Sequence, residues 1–141
     1  MKKPWETEPD WKHFTARGFP LVVLRNPDMK NLCGYIGVPP EHPWHGMPYD
    51  DVGADVHCGF TFGANHLPAG HPKSKDIKVA IDNVWWLGFD CAHGGDLVPG
   101  LLRYKEMAKY HADDVYRTME YVVDELLNLA NQAHDAKVPS T

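Results

Sequence analysis

The sequence predicts an α+β domain in which a curved, mainly antiparallel sheet carries one long C-terminal helix packed on it. All twelve glycines and eleven of the twelve prolines lie at or before Gly100, so turns and strands should dominate there. Neither residue occurs between Leu101 and Val138, which leaves that part free to form a helix. The 141 residues have the length of one domain, with an aromatic segment over 1–19, a β region over 20–100 and a helical region over 101–138.

A stripe of apolar side chains predicts the C-terminal helix. Its members recur at alternating steps of four and three residues, as on one face of an α-helix: Val115, Met119, Val122, Leu126, Leu129 and Ala133. Asp113 or Asp114 can cap the start of this helix, and Pro139 follows its end. We therefore expect a surface helix that buries the stripe against the sheet.

Four segments have the composition of strands: Leu21–Arg25, Leu32–Val38, Asp55–Phe62 and Val79–Phe89. The first two are separated by Asn26–Asn31, a loop of hairpin length. In the third, the alternation of a strand would place His57 and Thr61 on one face. In the fourth, the neighbours Trp85 and Trp86 would point to opposite faces of the sheet.

The N-terminal segment is too aromatic for a free tail, because it contains Trp5, Trp11 and Phe14 within its first fourteen residues. We expect it to pack across the sheet. A short helix is expected near Asp10–Ala16.

Composition excludes several classes of protein. The formal net charge of −5 argues against binding duplex nucleic acid, which depends on neutralising phosphates. No apolar run approaches the ~18 residues of a membrane span, and the first ten residues lack the apolar stretch of a secretion signal. An odd number of cysteines, three, indicates reduced thiols and a cytoplasmic protein. Nine histidines make the net charge sensitive to pH.

The residues that could carry chemistry are concentrated in the middle of the chain. Asp90, His93 and Asp96 follow the last predicted strand at steps of three, where a loop presents side chains from a rigid base. We expect this loop, His57 and the proline-rich segment Pro39–Asp50 to converge on one site.

Three kinds of chemistry are compatible with these residues. The first is a metal site formed by His57, His93 and Asp96, although their spacing matches no recognised metal motif. The second is a nucleophilic Cys91 with His93 or His57 as its base, while Cys91 can equally be a small apolar core residue. The third is recognition of a nucleotide-like ligand.

A nucleotide-like ligand requires a stacking surface, a cation for phosphate and a few hydrogen-bonding side chains. The residues expected to bind it are Arg25, Tyr35, His42, Trp44, His57, Thr61, Trp86, Asp90, His93 and Asp96. Arg25 and a histidine would contact phosphate, and an aromatic ring would stack on the base. Asp90 or Asp96 would bind ribose or orient a histidine.

Three motifs give the chain a resemblance to a known group of proteins. They are GYxGVPxxHP at 34–43, VHxGxT at 56–61 and WWxGFDCAHxGD at 85–96. With these motifs the chain resembles a family of small, uncharacterised phage and bacterial proteins. Similar proteins carry a glycine where this chain has Cys58, which favours His57 and Thr61 over a thiol as ligands.

The resemblance implies a phage accessory protein that counters host defence. Small phage proteins of this size include sponges, which bind cyclic nucleotide or ADP-ribose-type immune signals without cleaving them. By analogy we expect sequestration of such a signal in the cytoplasm of an infected bacterial host. Because the ligand is charged, a homo-oligomer in which a second subunit closes the site is expected.

Two other functions remain open. One is a small metal- or Cys/His-dependent hydrolase acting on a phosphoester or nucleotide, with His57 and His93 as ligands or general bases. The other is a protein-binding inhibitor of a host enzyme, which would use the aromatic surface. No cofactor is expected apart from the metal of the hydrolase alternative.

Overall fold

The computed structural model describes residues 2–104 and 113–136. Its elements are α1 (Pro4–Thr7), β1 (Trp11–Ala16), β2 (Phe19–Arg25), β3 (Leu32–Val38), β4 (Phe62–Ala64), β5 (Trp85–Asp90) and α2 (Met119–Asp135), with short 3-10 helices at Tyr49–Asp51 and Pro99–Arg103. The five strands form one antiparallel sheet in the order β1-β2-β3-β5-β4, and α2 packs on β2 and β3. The predicted α+β class is confirmed.

Two tight connections organise the first three strands. β1 and β2 are joined by Arg17 and Gly18, both with positive φ (55° and 82°), which suits the right-handed twist of a two-residue hairpin. Between β2 and β3 the side chain of Asn26 accepts hydrogen bonds from the backbone N–H groups of Asp28 and Met29, each at 2.9 Å. The predicted hairpin is confirmed.

Three glycines in β3 and β5 lie opposite aromatic residues in the strand register. The pairs are Gly34 with Phe89, Gly37 with Trp86, and Gly88 with Tyr35. In each pair the aromatic ring covers the glycine so closely that an added Cβ would lie about 3 Å or less from it. The glycines of these strands therefore make room for large apolar rings, which bury more surface than a small side chain at the glycine would.

The sheet has two buried faces. The face under α2 includes Leu21, Val23, Ile36, Leu87 and Phe89, together with Val122, Leu126, Leu129 and Ala133 of the helix. The other face includes Val22, Leu24, Tyr35, Leu67, Val84 and Trp86. Trp85 packs against the helix side and Trp86 belongs to the other face, so the predicted opposition of these two rings is confirmed.

Helix α2 begins later than predicted. Thr118 is its N-cap, and the Thr118 hydroxyl oxygen accepts a hydrogen bond from the backbone N–H of Tyr121 at 3.1 Å. The expected caps Asp113 and Asp114 are wrong, and Val115 lies outside the helix in an isolated bridge to Asp96. The rest of the apolar stripe, from Met119 to Ala133, is buried as expected.

Two of the predicted strands differ from the structure. Asp55–Phe62 is not a strand, because a turn closed by Gly59 N–H to the Val56 carbonyl (2.9 Å) puts Cys58 and Gly59 at positive φ. Only Phe62–Ala64 forms strand β4. Of Val79–Phe89, the part before Trp85 is turn and coil, and the strand runs over Trp85–Asp90.

The N-terminal segment also differs from its prediction. The helix expected near Asp10–Ala16 is wrong, because Trp11–Ala16 is edge strand β1 and only Pro4–Thr7 is helical. Phe14 and Ala16, two residues apart, pack against the core as alternate residues of a strand do, and aromatic side chains are favoured in strands.

Part of the predicted helical region 101–138 lies outside the described residues, as do Pro139 and the rest of the C-terminus. Within the described chain this region holds the end of the Pro99–Arg103 turn and α2. No helix there is both long and apolar enough to cross a bilayer.

Replacing Gly88 should destabilise the fold. In Gly88→Ala the new Cβ would lie 2.6 Å from Cε1 of Tyr35, so the ring or the strand must move. We expect the free energy of unfolding, measured with urea, to fall by about 1–3 kcal/mol. Gly53→Ala is the matched control because no atom lies within 4 Å of its Cβ position, and an equal loss in both variants would contradict the explanation.

Candidate functional site

The candidate site lies where strand β5 ends. After Asp90 the chain is held by a hydrogen bond from the Cys91 backbone N–H to the Leu32 carbonyl (3.1 Å) and then turns at Gly95, whose φ is +94°. Backbone hydrogen bonds on both sides of Asp96 attach this loop to Val115, just before α2. The loop is therefore fixed to the sheet at one end and to the start of the helix at the other.

The carboxylate of Asp96 is buried, with 2% of its side chain exposed, and receives hydrogen bonds from three separate segments. The donors are Nε2 of His57 at 2.8 Å, Nε of Arg117 at 3.0 Å and the backbone N–H of His93 at 3.1 Å. Burial alone would raise the pKa of Asp96, but these hydrogen bonds lower it below its ordinary value. Asp96 is thus a buried anion whose charge is compensated by its donors.

His57 is hydrogen-bonded through both ring nitrogens. Its side chain is 7% exposed, Nε2 faces Asp96, and Nδ1 lies 2.7 Å from the hydroxyl of Tyr121. Because Nε2 carries the proton given to Asp96, neutral His57 has its lone pair on Nδ1 and accepts the Tyr121 proton. The three side chains form a continuous hydrogen-bonded line from carboxylate to imidazole to phenol.

A second carboxylate and imidazole lie beside the first pair. Nε2 of His93 is 3.0 Å from Oδ1 of Asp90, although the two are not aligned as a hydrogen bond. Asp90 also accepts a hydrogen bond from the Ala92 backbone N–H (3.2 Å) and a long one from the Thr61 hydroxyl (3.4 Å). The ring centroids of His93 and His57 are 6.3 Å apart. Two imidazoles, each with its own carboxylate, therefore share one region.

Arg117 completes the site. Its guanidinium carbon lies 4.8 Å from the ring centroid of Tyr121, in addition to the hydrogen bond to Asp96. Within the described residues only its Nε atom is hydrogen-bonded, so its terminal amino groups can meet an anion. Sequence reasoning missed Arg117 and Tyr121 as site residues. Their four-residue spacing at a helix start is the signal that could have indicated them.

Arg25, at the end of β2 and opposite Leu32, is already hydrogen-bonded to other residues of the protein. Its side chain is 3% exposed and is surrounded by acceptors: carboxylate oxygens of Glu8 and Asp10, backbone carbonyls of Pro9 and Lys30, and the Tyr116 hydroxyl. In turn, Glu8 accepts hydrogen bonds from Tyr116 and from the backbone N–H of Met119. Arg25 therefore fastens the N-terminal segment to the start of α2.

The expected aromatic residues do not join His57. Tyr35 and Trp86 belong to the opposite face of the sheet, where the exposed fraction is 7% for Tyr35 and 5% for Trp86. Trp44 is buried on the helix side, where its ring contacts Phe60. None of the three rings offers an open stacking surface beside the two imidazoles.

His42 holds the proline-rich segment to the far end of α2. Its Nε2–H donates to the carbonyl of Ala133 at 2.8 Å, and its Nδ1 accepts the backbone N–H of Trp44 at 3.0 Å. Burial lowers the pKa of His42, which favours the neutral form that this geometry requires. The expected convergence is therefore partial: His57, Thr61 and the Asp90–Asp96 loop meet, and the Pro39–Asp50 segment does not.

Cys91 is a core residue rather than an exposed nucleophile. It is 2% exposed, packs in the cluster under α2, and burial raises the pKa of its thiol. A thiolate is the reactive form, so this environment opposes nucleophilic attack by Cys91.

One group of side chains could hold a metal ion, and it includes Cys58, which the sequence analysis did not favour as a ligand. Ligand atoms of His57, Cys58 and Asp96 lie within 4.8 Å of one another, whereas His93 is not in this group. Desolvation and the charge of Asp96 raise the pKa of the Cys58 thiol. Both nitrogens of His57 are hydrogen-bonded, so a metal would have to displace Asp96 or Tyr121 from one of them.

No family model matches the chain, and no match was found among curated proteins or solved structures. The resemblance to small phage and bacterial proteins therefore stays a prediction.

The buried charge of Asp96 should make stability depend on acid pH. A carboxylate with a lowered pKa stabilises the fold above its ordinary value of 3.8, and this contribution is lost as the pH falls through the folded-state pKa. We expect Asp96→Asn to cost about 1–3 kcal/mol at neutral pH and to reduce the loss of unfolding free energy on acidification.

Urea unfolding of the wild type and variants across the acid range measures this effect. The control is Asp50→Asn, which alters an exposed carboxylate. If Asp96→Asn does not fold, carboxyl NMR titration of the wild type reports the pKa of Asp96 directly. A value at or above the ordinary one would contradict the prediction.

Proposed function

We propose that the protein is a small hydrolase that uses His57 and His93 as acid–base groups on a phosphoester. The observation that carries this proposal is the pair of carboxylate–imidazole units with ring centroids 6.3 Å apart. Phosphoester hydrolysis needs one group to accept a proton from the attacking water and another to protonate the leaving oxygen. Two neighbouring imidazoles can supply both.

His57 is too buried to meet a substrate directly, so its proton would move through Tyr121. The oxygen of the attacking water bonds to phosphorus, and the water gives a proton to the Tyr121 oxygen. The Tyr121 proton passes to Nδ1 of His57, which lies 2.7 Å from the hydroxyl oxygen. Asp96 stabilises the imidazolium that results. His93, with 31% of its side chain exposed, gives its proton to the leaving oxygen as the bond from phosphorus to that oxygen breaks, and Oδ1 of Asp90 lies 3.0 Å from its Nε2.

Arg117 supports an anionic substrate. Its guanidinium is anchored through Nε to Asp96 and lies against the Tyr121 ring, so a phosphate bound by its terminal amino groups would be next to the attacking water. A positive group at this place also stabilises the charge that develops on phosphoryl oxygens.

The hydrolase is favoured over sequestration because the rings expected to stack on a base, Tyr35, Trp44 and Trp86, are buried away from His57. Sequestration of an immune signal, the phage origin, the host cytoplasm and the homo-oligomer stay predictions. The same purified protein tests sequestration: incubation with a signal nucleotide followed by heat would release it intact from a sponge and altered from an enzyme.

Removing the second imidazole should abolish turnover. With bis-p-nitrophenyl phosphate and p-nitrophenyl phosphate as probes, we expect His93→Ala to lower kcat by about 10²–10⁴-fold while the circular dichroism spectrum is unchanged. His134→Ala, which removes an exposed imidazole from the last turn of α2, is the control and should keep full activity. Absence of hydrolysis by the wild type, or an active His93→Ala protein, overturns the proposal.

Tyr121→Phe separates the proton relay from simple binding. The variant keeps the ring against Arg117 and loses only the hydroxyl, so we expect kcat to fall by at least about tenfold with little change in KM. A rise in KM with unchanged kcat would show that the hydroxyl only binds substrate. Elemental analysis and chelator treatment of the same preparation test the metal alternative at His57, Cys58 and Asp96.

A further inference from the structure

We infer that a second ligand site lies beside the C-terminal end of strand β2 and binds a nucleoside phosphate. The site comprises two neighbouring cavities of about 380 Å³ and 240 Å³ that share Pro27 and His71 in their walls. The larger cavity is lined by Asp10, Trp11, Arg25, Lys30 and Lys73, and we call it the basic groove. This inference goes beyond the proposed hydrolase and does not depend on it.

The basic groove is separate from the imidazole pair. The smaller cavity that continues it is lined by Leu24 and Tyr35, which belong to the face of the sheet that α2 does not cover. His57 instead packs with Tyr121 of the helix. Neither cavity is lined by His57, His93 or the carboxylates of Asp90 and Asp96, so the two sites can be altered independently.

The wall of the groove is fixed by His71. Its Nε2–H donates to the backbone carbonyl of Arg25 at 2.9 Å, and its Nδ1 accepts the backbone N–H of Lys73 at 3.0 Å. These bonds attach the segment that carries Lys73 to the end of β2. The cavity between them is consequently built into the fold before any ligand arrives.

The charges in the groove oppose the charge of the whole protein. Arg25, Lys30 and Lys73 line it against a single carboxylate, Asp10, whereas the chain has a net charge of −5. Arg25 is already paired with both Asp10 and Glu8, and neither lysine forms an ion pair within the described residues. Two ammonium groups are thus available to an anion at this place.

An exposed aromatic ring lies next to these cations. Trp11 is 40% exposed, and Nζ of Lys73 is 5.3 Å from its ring centroid. A purine or pyrimidine can stack on an exposed indole ring, and the phosphate attached to it can bind the lysines. An aromatic surface and a cation within reach of one small molecule match a nucleoside phosphate better than phosphate or a nucleoside alone.

Calorimetric titration with three probes tests the composition of the ligand. We expect adenosine 5′-diphosphate to bind, and adenosine and inorganic phosphate each to bind at least about tenfold more weakly. Added salt should weaken the binding of the diphosphate. Absence of diphosphate binding at millimolar concentration, or equal affinity for adenosine, overturns the inference.

Matched variants test the location. Lys73→Gln and Trp11→Ala should each raise the Kd for adenosine 5′-diphosphate about tenfold. Lys75→Gln, the same charge change on an exposed lysine outside the groove, should leave the Kd unchanged. The His93→Ala variant should also bind normally. Loss of binding in either control, or normal binding by both groove variants, would place the ligand elsewhere and overturn the assignment.

Discussion

The buried carboxylate of Asp96 is the constraint on which the candidate site depends. A charge with 2% exposure is tolerated only when donors surround it, and here they come from three parts of the chain that are far apart in sequence. The side chain of His57, the backbone of His93 and the guanidinium of Arg117 are thereby brought together by one group. Removing the anion would leave all three without their common partner, so the same interaction positions the site and stabilises the fold.

Local patterns were sufficient for much of the fold. The two apolar runs of the β2–β3 hairpin and the stripe on the helix each depend on neighbours in sequence. The structure has the hairpin where it was expected, and the stripe from Met119 onward. The strand predicted over Asp55–Phe62 is wrong because alternating apolar residues do not require a strand. Val56 and Phe60 are buried under the helix as a strand would bury them, yet the backbone between them turns at Cys58.

The site was predictable only in part, because a pattern of residue types does not determine which side chains meet in the folded chain. The loop from Asp90 to Asp96 and the imidazole of His57 carry the right residue types, and the structure does unite them. Residue types do not reveal which buried group will need which partner, however. Arg25 has the side chain of a phosphate ligand but is paired with Glu8 and Asp10. Arg117 could be assigned to the site only once the position at which the helix begins was known.

The hydrogen bonds of Glu8 join residues more than one hundred positions apart, since its carboxylate accepts from Tyr116 and from the backbone N–H of Met119. Closing a loop of this length has an entropic cost, so we expect such contacts to form after the contacts within the hairpins. During synthesis the sheet can assemble while the helix is still being made, but the first turn of the helix acquires this capping partner only when Met119 has emerged from the ribosome. The candidate site would consequently be among the last parts of the nascent chain to be completed, since Arg117 and Tyr121 flank this helix start.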